Sequence, residues 1–198
     1  MKTKMHKTRK IEKTEKVTRT ECLELVGRDG RVCAKLTTLL NGAPSLRLFD
    51  KMGNSRLMLD VLPDGSPSVM MTDSDGHCRM MISQQADGSP CVSLMDAQGT
   101  ARGVFSLTQT STPQLSLFDE NGEVRAGLGL MASGSSCMSL FDSSGEIRAG
   151  MTVLPDGSPG LAFNDQEGIP RACMDLLSDG SPGLSLSGNS GRNVCIAP

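Results

Sequence analysis

Tryptophan and tyrosine are absent from the 198 residues, histidine occurs only at His6 and His77, and no lysine follows Lys51. Without Tyr, and with neither His near a Ser or Cys in any recognisable motif, general acid–base and triad chemistry have no candidate residues. His77 lies in a turn sequence and reads as a solvent-exposed residue. The seven cysteines, at 22, 33, 78, 91, 137, 173 and 195, include no CxxC and no Cys/His cluster. Their odd number and spacing signal neither a disulfide framework nor a zinc site. Reduced thiols in a cytoplasmic protein are the expectation. No apolar h-region opens the chain, and no run reaches the ~18 apolar residues of a membrane-spanning helix. With five Phe and 37% apolar residues, any core must be lean and built mainly from Leu, Val and Met.

Charge is unevenly placed. Residues 1–20 hold six Lys and two Arg against Glu12 and Glu15, whereas the rest of the chain holds 12 basic and 20 acidic groups. Residues 1–16 read as a basic, disordered arm, with Lys2, Lys4, Lys7, Arg9 and Lys10 able to meet an anionic surface nonspecifically by counterion release. No aromatic residue interleaves them for base stacking. Residues 17–198 read as one repeat domain.

What is present is a 23-residue beat. Pro44, Pro67, Pro90, Pro113, Pro159 and Pro182 keep it, with Ser136 in the remaining place. Gly53, Gly76, Gly99, Gly122, Gly145 and Gly168 keep it too. The consensus is P-x-L-x-L-F-D-x-x-G-x-x-R-A-x-L-x-V-x-x-D-G-S, in seven full copies from 21 to 181 and a partial eighth, with no insertion or deletion. A fixed period in this range marks a repeat architecture. Counting the proline as position 1, positions 3 and 5 are apolar, as in Leu46 and Leu48 or Leu115 and Leu117. Positions 16 and 18 are apolar as well, as in Leu59 and Val61 or Met151 and Val153. Period-two spacing predicts two strands per copy. D-x-x-G predicts a type I turn with Gly at positive φ, and P-D-G a second turn with Gly in the left-handed place. The phrase LPDGSP, at 62–67 and again at 154–159, is therefore a corner.

Two all-β assemblies fit a strand–turn–strand–turn unit: a β-solenoid with one copy per rung, or an antiparallel β-meander, closed or self-associated. A three-residue loop at D-x-x-G sets position 5 opposite position 13, placing Leu48 beside Arg56 and splitting the apolar columns between two faces. That conflict favours the solenoid, although its stacked Asp columns would repel at ~4.8 Å without the Arg column beside them. The small residues Ala126, Gly127, Ala149 and Gly150 would then let two sheets approach closely.

Two charged columns are the candidate binding surface. Asp50, Asp73, Asp96, Asp119, Asp142 and Asp165 occupy position 7, and Arg56, Arg79, Arg102, Arg125, Arg148 and Arg171 occupy position 13. They read first as turn-bridging ion pairs, and alternatively as a periodic surface for a partner. DSDGH at 73–77 and DENGE at 119–123 resemble fragments of a calcium loop but lack its late bidentate Glu. GLGLMASG at 127–134 opens no helix and reads as a strand and its turn, not a nucleotide loop.

LSLFDENGEVRAGLGL, with its DGSP corners, resembles tandem β-repeat segments of uncharacterised bacterial and phage-like proteins, over residues 21–198. That resemblance implies a fold and no activity. The expectation is a non-enzymatic structural or interaction module with no cofactor, no metal and no small-molecule substrate. Its partner would be a protein, including another copy of itself, and NVCIAP would cap one end. A trimeric fibre or spike element is the alternative, and an enzyme on the acidic face a weaker one.

Overall fold

The computed structural model describes residues 19–188 and 193–196, and the basic arm, with Lys2, Lys4, Lys7, Arg9 and Lys10, lies outside them. Every regular element among these residues is a strand. The first copies give β1 (Cys22–Val26), β2 (Val32–Thr38), β3 (Pro44–Phe49), β4 (Ser55–Val61), β5 (Pro67–Thr72) and β6 (Cys78–Gln84). The middle copies give β7 (Pro90–Met95), β8 (Ala101–Leu107), β9 (Pro113–Phe118), β10 (Val124–Leu130) and β11 (Ser136–Phe141). The last give β12 (Ile147–Val153), β13 (Pro159–Asn164), β14 (Pro170–Leu176), β15 (Pro182–Ser187) and β16 (Asn193–Ile196). All sixteen form one sheet in strict sequence order, each pairing antiparallel with the next.

The all-β tandem repeat is thus as expected, and of the two assemblies the molecule adopts the meander. The solenoid is corrected: hydrogen bonds run between consecutive strands, not between equivalent strands of successive copies. The sheet is open, with β1 at one edge and β16 at the other.

One residue per copy removes the register conflict that favours the solenoid. At the D-x-x-G turn the pairing begins as Phe49↔Ser55 but continues as Leu48↔Leu57, leaving Arg56 without a partner. A β-bulge is such a surplus residue, and it shifts the register by one. Position 5 then faces position 14 rather than 13. The same slip leaves out Arg79, Arg102, Arg125, Arg148 and Arg171. At the DGSP corner the register is unbroken, as in Leu57↔Met71, Leu59↔Val69 and Val61↔Pro67.

With the slip, positions 3, 5, 14, 16 and 18 share one side of the sheet. This apolar face is open: Leu94, Phe105 and Leu128 are each more than half exposed, and no apolar side chain among the described residues is buried. The lean core inferred from composition is therefore not found among the described residues. The opposite face mixes small and polar residues, of which Ser45, Ser68, Ser93 and Ser106 are buried, with half-buried apolar ones such as Met58, Met70, Met81 and Phe118. Among the described residues no second sheet covers either face, so Ala126, Gly127, Ala149 and Gly150 do not separate two layers. Gly127 instead leaves room for the Phe141 ring, which would lie 3.8 Å from an added Cβ.

Candidate functional site: charged turns and an open apolar face

Both corners are built alike. Asp50 N–H donates to the Asn54 carbonyl (2.9 Å) and Gly53 N–H to the Asp50 carbonyl (3.0 Å), while Leu62 N–H donates to Ser66 (2.8 Å) and Gly65 N–H to Leu62 (2.8 Å). This is a type I turn closed by a left-handed residue. Gly53 and Gly65 both stand at φ 87°, where an L side chain is strained. At the equivalent corner 108–112 the left-handed place falls to Ser111, at φ 61°.

The charged columns sit on the first kind of corner. Asp119 Oδ1 accepts the N–H groups of Asn121 (2.9 Å) and Glu123 (3.1 Å), and Arg125 Nη1 donates to Asp119 Oδ2 (3.4 Å). Arg125 Nε meanwhile donates to the Phe141 carbonyl of the next copy (3.1 Å). Arg56, Arg79, Arg102 and Arg148 repeat the double contact with Asp50, Asp73, Asp96 and Asp142 and with the carbonyls of Thr72, Met95, Phe118 and Asn164. Arg171 turns its Nε to Asp165 instead, at 2.5 Å. The bulge is what permits this, because a surplus residue is free of the ladder and can re-aim its side chain. Each Asp–Arg pair predicted from sequence is therefore brought together, and Arg56, Arg79, Arg102, Arg125 and Arg148 each also staple one hairpin to the next.

The turn carboxyls are held acidic. The Glu123 amide, donating to Asp119, keeps that carboxyl below the ordinary range, against the opposing pull of burial. The Ser144 hydroxyl does most to lower Asp142, to about 2, and backbone amides and Arg148 assist it. At the second kind of corner the Ser66 hydroxyl and amide lower Asp64 in the same way.

Among the described residues one group of metal-ligating side chains converges, Asp73, Asp75 and His77. Asp73 Oδ1 already accepts the amides of Asp75 and His77 (3.0 Å each), and Arg79 occupies Oδ2 (3.4 Å). The cluster is turn chemistry, as in the other copies. The described cysteines, Cys22, Cys33, Cys78, Cys91, Cys137 and Cys173, are all free thiols.

The feature that residue-by-residue reading missed is the apolar face itself. No residue at its five positions, from Leu23 to Leu186, is Asp, Glu, Lys, Arg or His. The signal was present in that uninterrupted lack of charge, but the expected register divided it between two faces. Near its middle, Phe105, Leu115, Leu128, Gly129 and Leu130 are among the residues lining a groove of about 390 Å³.

No protein-family model and no curated protein matches the chain. Among solved structures it is similar to the TCP domain of Drosophila melanogaster SAS-4 (dCPAP), in complex with a proline-rich motif of Ana2, at 12% identity and TM-score 0.34. That match covers 83% of this chain and 90% of the other. The TCP10 domain of Danio rerio CPAP, in complex with a STIL peptide, is similar at 13% identity and TM-score 0.34, over 89% of this chain and 98% of the other. Likeness at this level carries no argument about function.

Proposed function

We propose that the protein is a non-enzymatic interaction module whose apolar sheet face is its docking surface. One observation carries this reading: a sixteen-stranded sheet in which no apolar side chain among the described residues is buried, with an uncharged, half-exposed apolar face along its length. Monomeric soluble proteins rarely leave so large an apolar surface open, and such surfaces mark interaction sites. The charged columns support the reading by default, since their groups are engaged in the turns. The fibre and enzyme readings find no support in the geometry.

Methionine oxidation tests the proposal. Met71, Met138, Met151 and Met174 lie on the apolar face, and Met52 projects from a turn. In a lysate of the source cells the four facial methionines are expected to oxidise several-fold more slowly than Met52. Equal rates at all five would mean that nothing docks there.

A further inference from the structure

The apolar face has a relief as well as a chemistry. Along the column formed by positions 5 and 14, large and small residues alternate from β7 to β15. The order is Leu94, Gly103, Leu117, Ala126, Leu140, Ala149, Phe163, Ala172, Leu186. Neighbouring strands are ~4.8 Å apart, so the large residues stand as ridges roughly 9.6 Å apart with hollows between them. The flanking column of positions 3 and 16 is large throughout this stretch, as in Leu115, Leu128, Met138, Met151 and Leu161.

From this we infer that the occupant of the face is a second copy of the chain, packed face to face into a two-layer sandwich. The inference rests on the proposed docking role and specifies the partner. Three observations favour a second copy. Interdigitation needs a partner with the same ridge spacing, the same twist and a half-period offset, and an identical sheet supplies all three. A face without one charged residue offers a charged peptide no ion pair, whereas it matches another uncharged face. The area also suffices: the strands β2 to β15, each of six or seven residues, present on the order of 1,400 Å² per copy, against the ~800 Å² per partner of a standard stable interface. The pairing would supply the apolar core that one chain lacks.

The experiment uses the purified full chain, with its mass in solution measured across a hundredfold range of concentration. The expected result is twice the 20.9 kDa chain mass, with a Tm that climbs by about 2–4 °C per tenfold increase in concentration because folding and association are linked. Leu117→Glu with Leu140→Glu should abolish the dimer, whereas Met52→Glu, in its exposed turn, should leave it intact. Dimers that tolerate the double substitution would place the interface elsewhere and overturn the inference. Because that variant could also fail to fold, the wild-type concentration dependence stands as an independent readout. A wild-type monomer with a concentration-independent Tm overturns the inference, as does a trimer. So does a monomer that associates with phosphatidylcholine vesicles and becomes protected at Met138 and Met151 only there. A purified monomer whose facial methionines are shielded only in lysate would overturn self-pairing and leave the docking role standing. Exposure in both settings would remove both.

Discussion

At the scale of single residues, two kinds of glycine behave differently, and one serine imitates the first kind. Gly65 stands at φ 87° with open space around an added Cβ, so any penalty for substitution is backbone strain alone. Gly65→Val is expected to lower stability by about 1–2 kcal/mol by thermal unfolding. Ser111 endures that strain already, at φ 61°, so Ser111→Gly should raise stability by up to about 1 kcal/mol in the same assay. Gly129 is in a different position: an added Cβ would sit 2.9 Å from the Pro113 carbonyl and 3.3 Å from the Gln114 Cβ on the paired strand. Gly129→Ala should cost about 1–3 kcal/mol through overpacking, and no change in Tm would mean that the strands part more easily than their pairing suggests.

At the scale of the hairpin, the arginine bulge decides the fold. Removing Arg102 deletes the one residue of β8 that has no partner, so Leu94↔Gly103 and Met95↔Ala101 can persist. Removing Val104, which pairs with both Ser93 and Ser116, forces every later side chain of β8 to the other face. Cooperative thermal unfolding should survive the first deletion and be lost in the second. The turn carboxyls make a separate prediction. Their folded values lie below the ordinary 3.8, with Asp142 at about 2, so the unfolded chain binds more protons in that window. Stability should therefore be level above about pH 5 and fall as the pH drops from about 4 towards 2. Asp142→Asn should lower stability at neutral pH and flatten part of that acid limb. Here too lies the boundary of what the sequence made legible. Strands, both turns, the Asp–Arg pairs and the two candidate assemblies follow from periodicity and turn chemistry. The bulge does not, because a surplus residue leaves the count of 23 unchanged and shows only in which residues face each other. A pairing of Arg56 with Leu48 divides the apolar positions between two faces and favours the solenoid, whereas the observed Leu48↔Leu57 pairing unites them.

At the scale of the whole molecule, the described residues form one layer without a second. Most all-β domains cover an apolar sheet face with another sheet, and here no described element does so. The repeat explains this: every copy carries the same two strands and corners, so none is free to fold back as a cover. In the reading proposed above a second sheet complements the face, and the ridged relief of β7 to β15 is the feature that would select an identical one. All of this rests on consecutive antiparallel pairing with the register slipped at each arginine. Disulfide trapping in a chain whose native cysteines are replaced by serine tests it directly, using pairs of cysteines introduced one pair at a time. The Ser93→Cys, Val104→Cys pair should cross-link readily on mild oxidation, because those residues face each other across β7 and β8. The Ser93→Cys, Gly103→Cys pair should not, nor should Ser93→Cys, Ser116→Cys, whose residues lie two strands apart. Rapid trapping of Ser93→Cys with Gly103→Cys would contradict the bulged register, and trapping with Ser116→Cys would restore the solenoid.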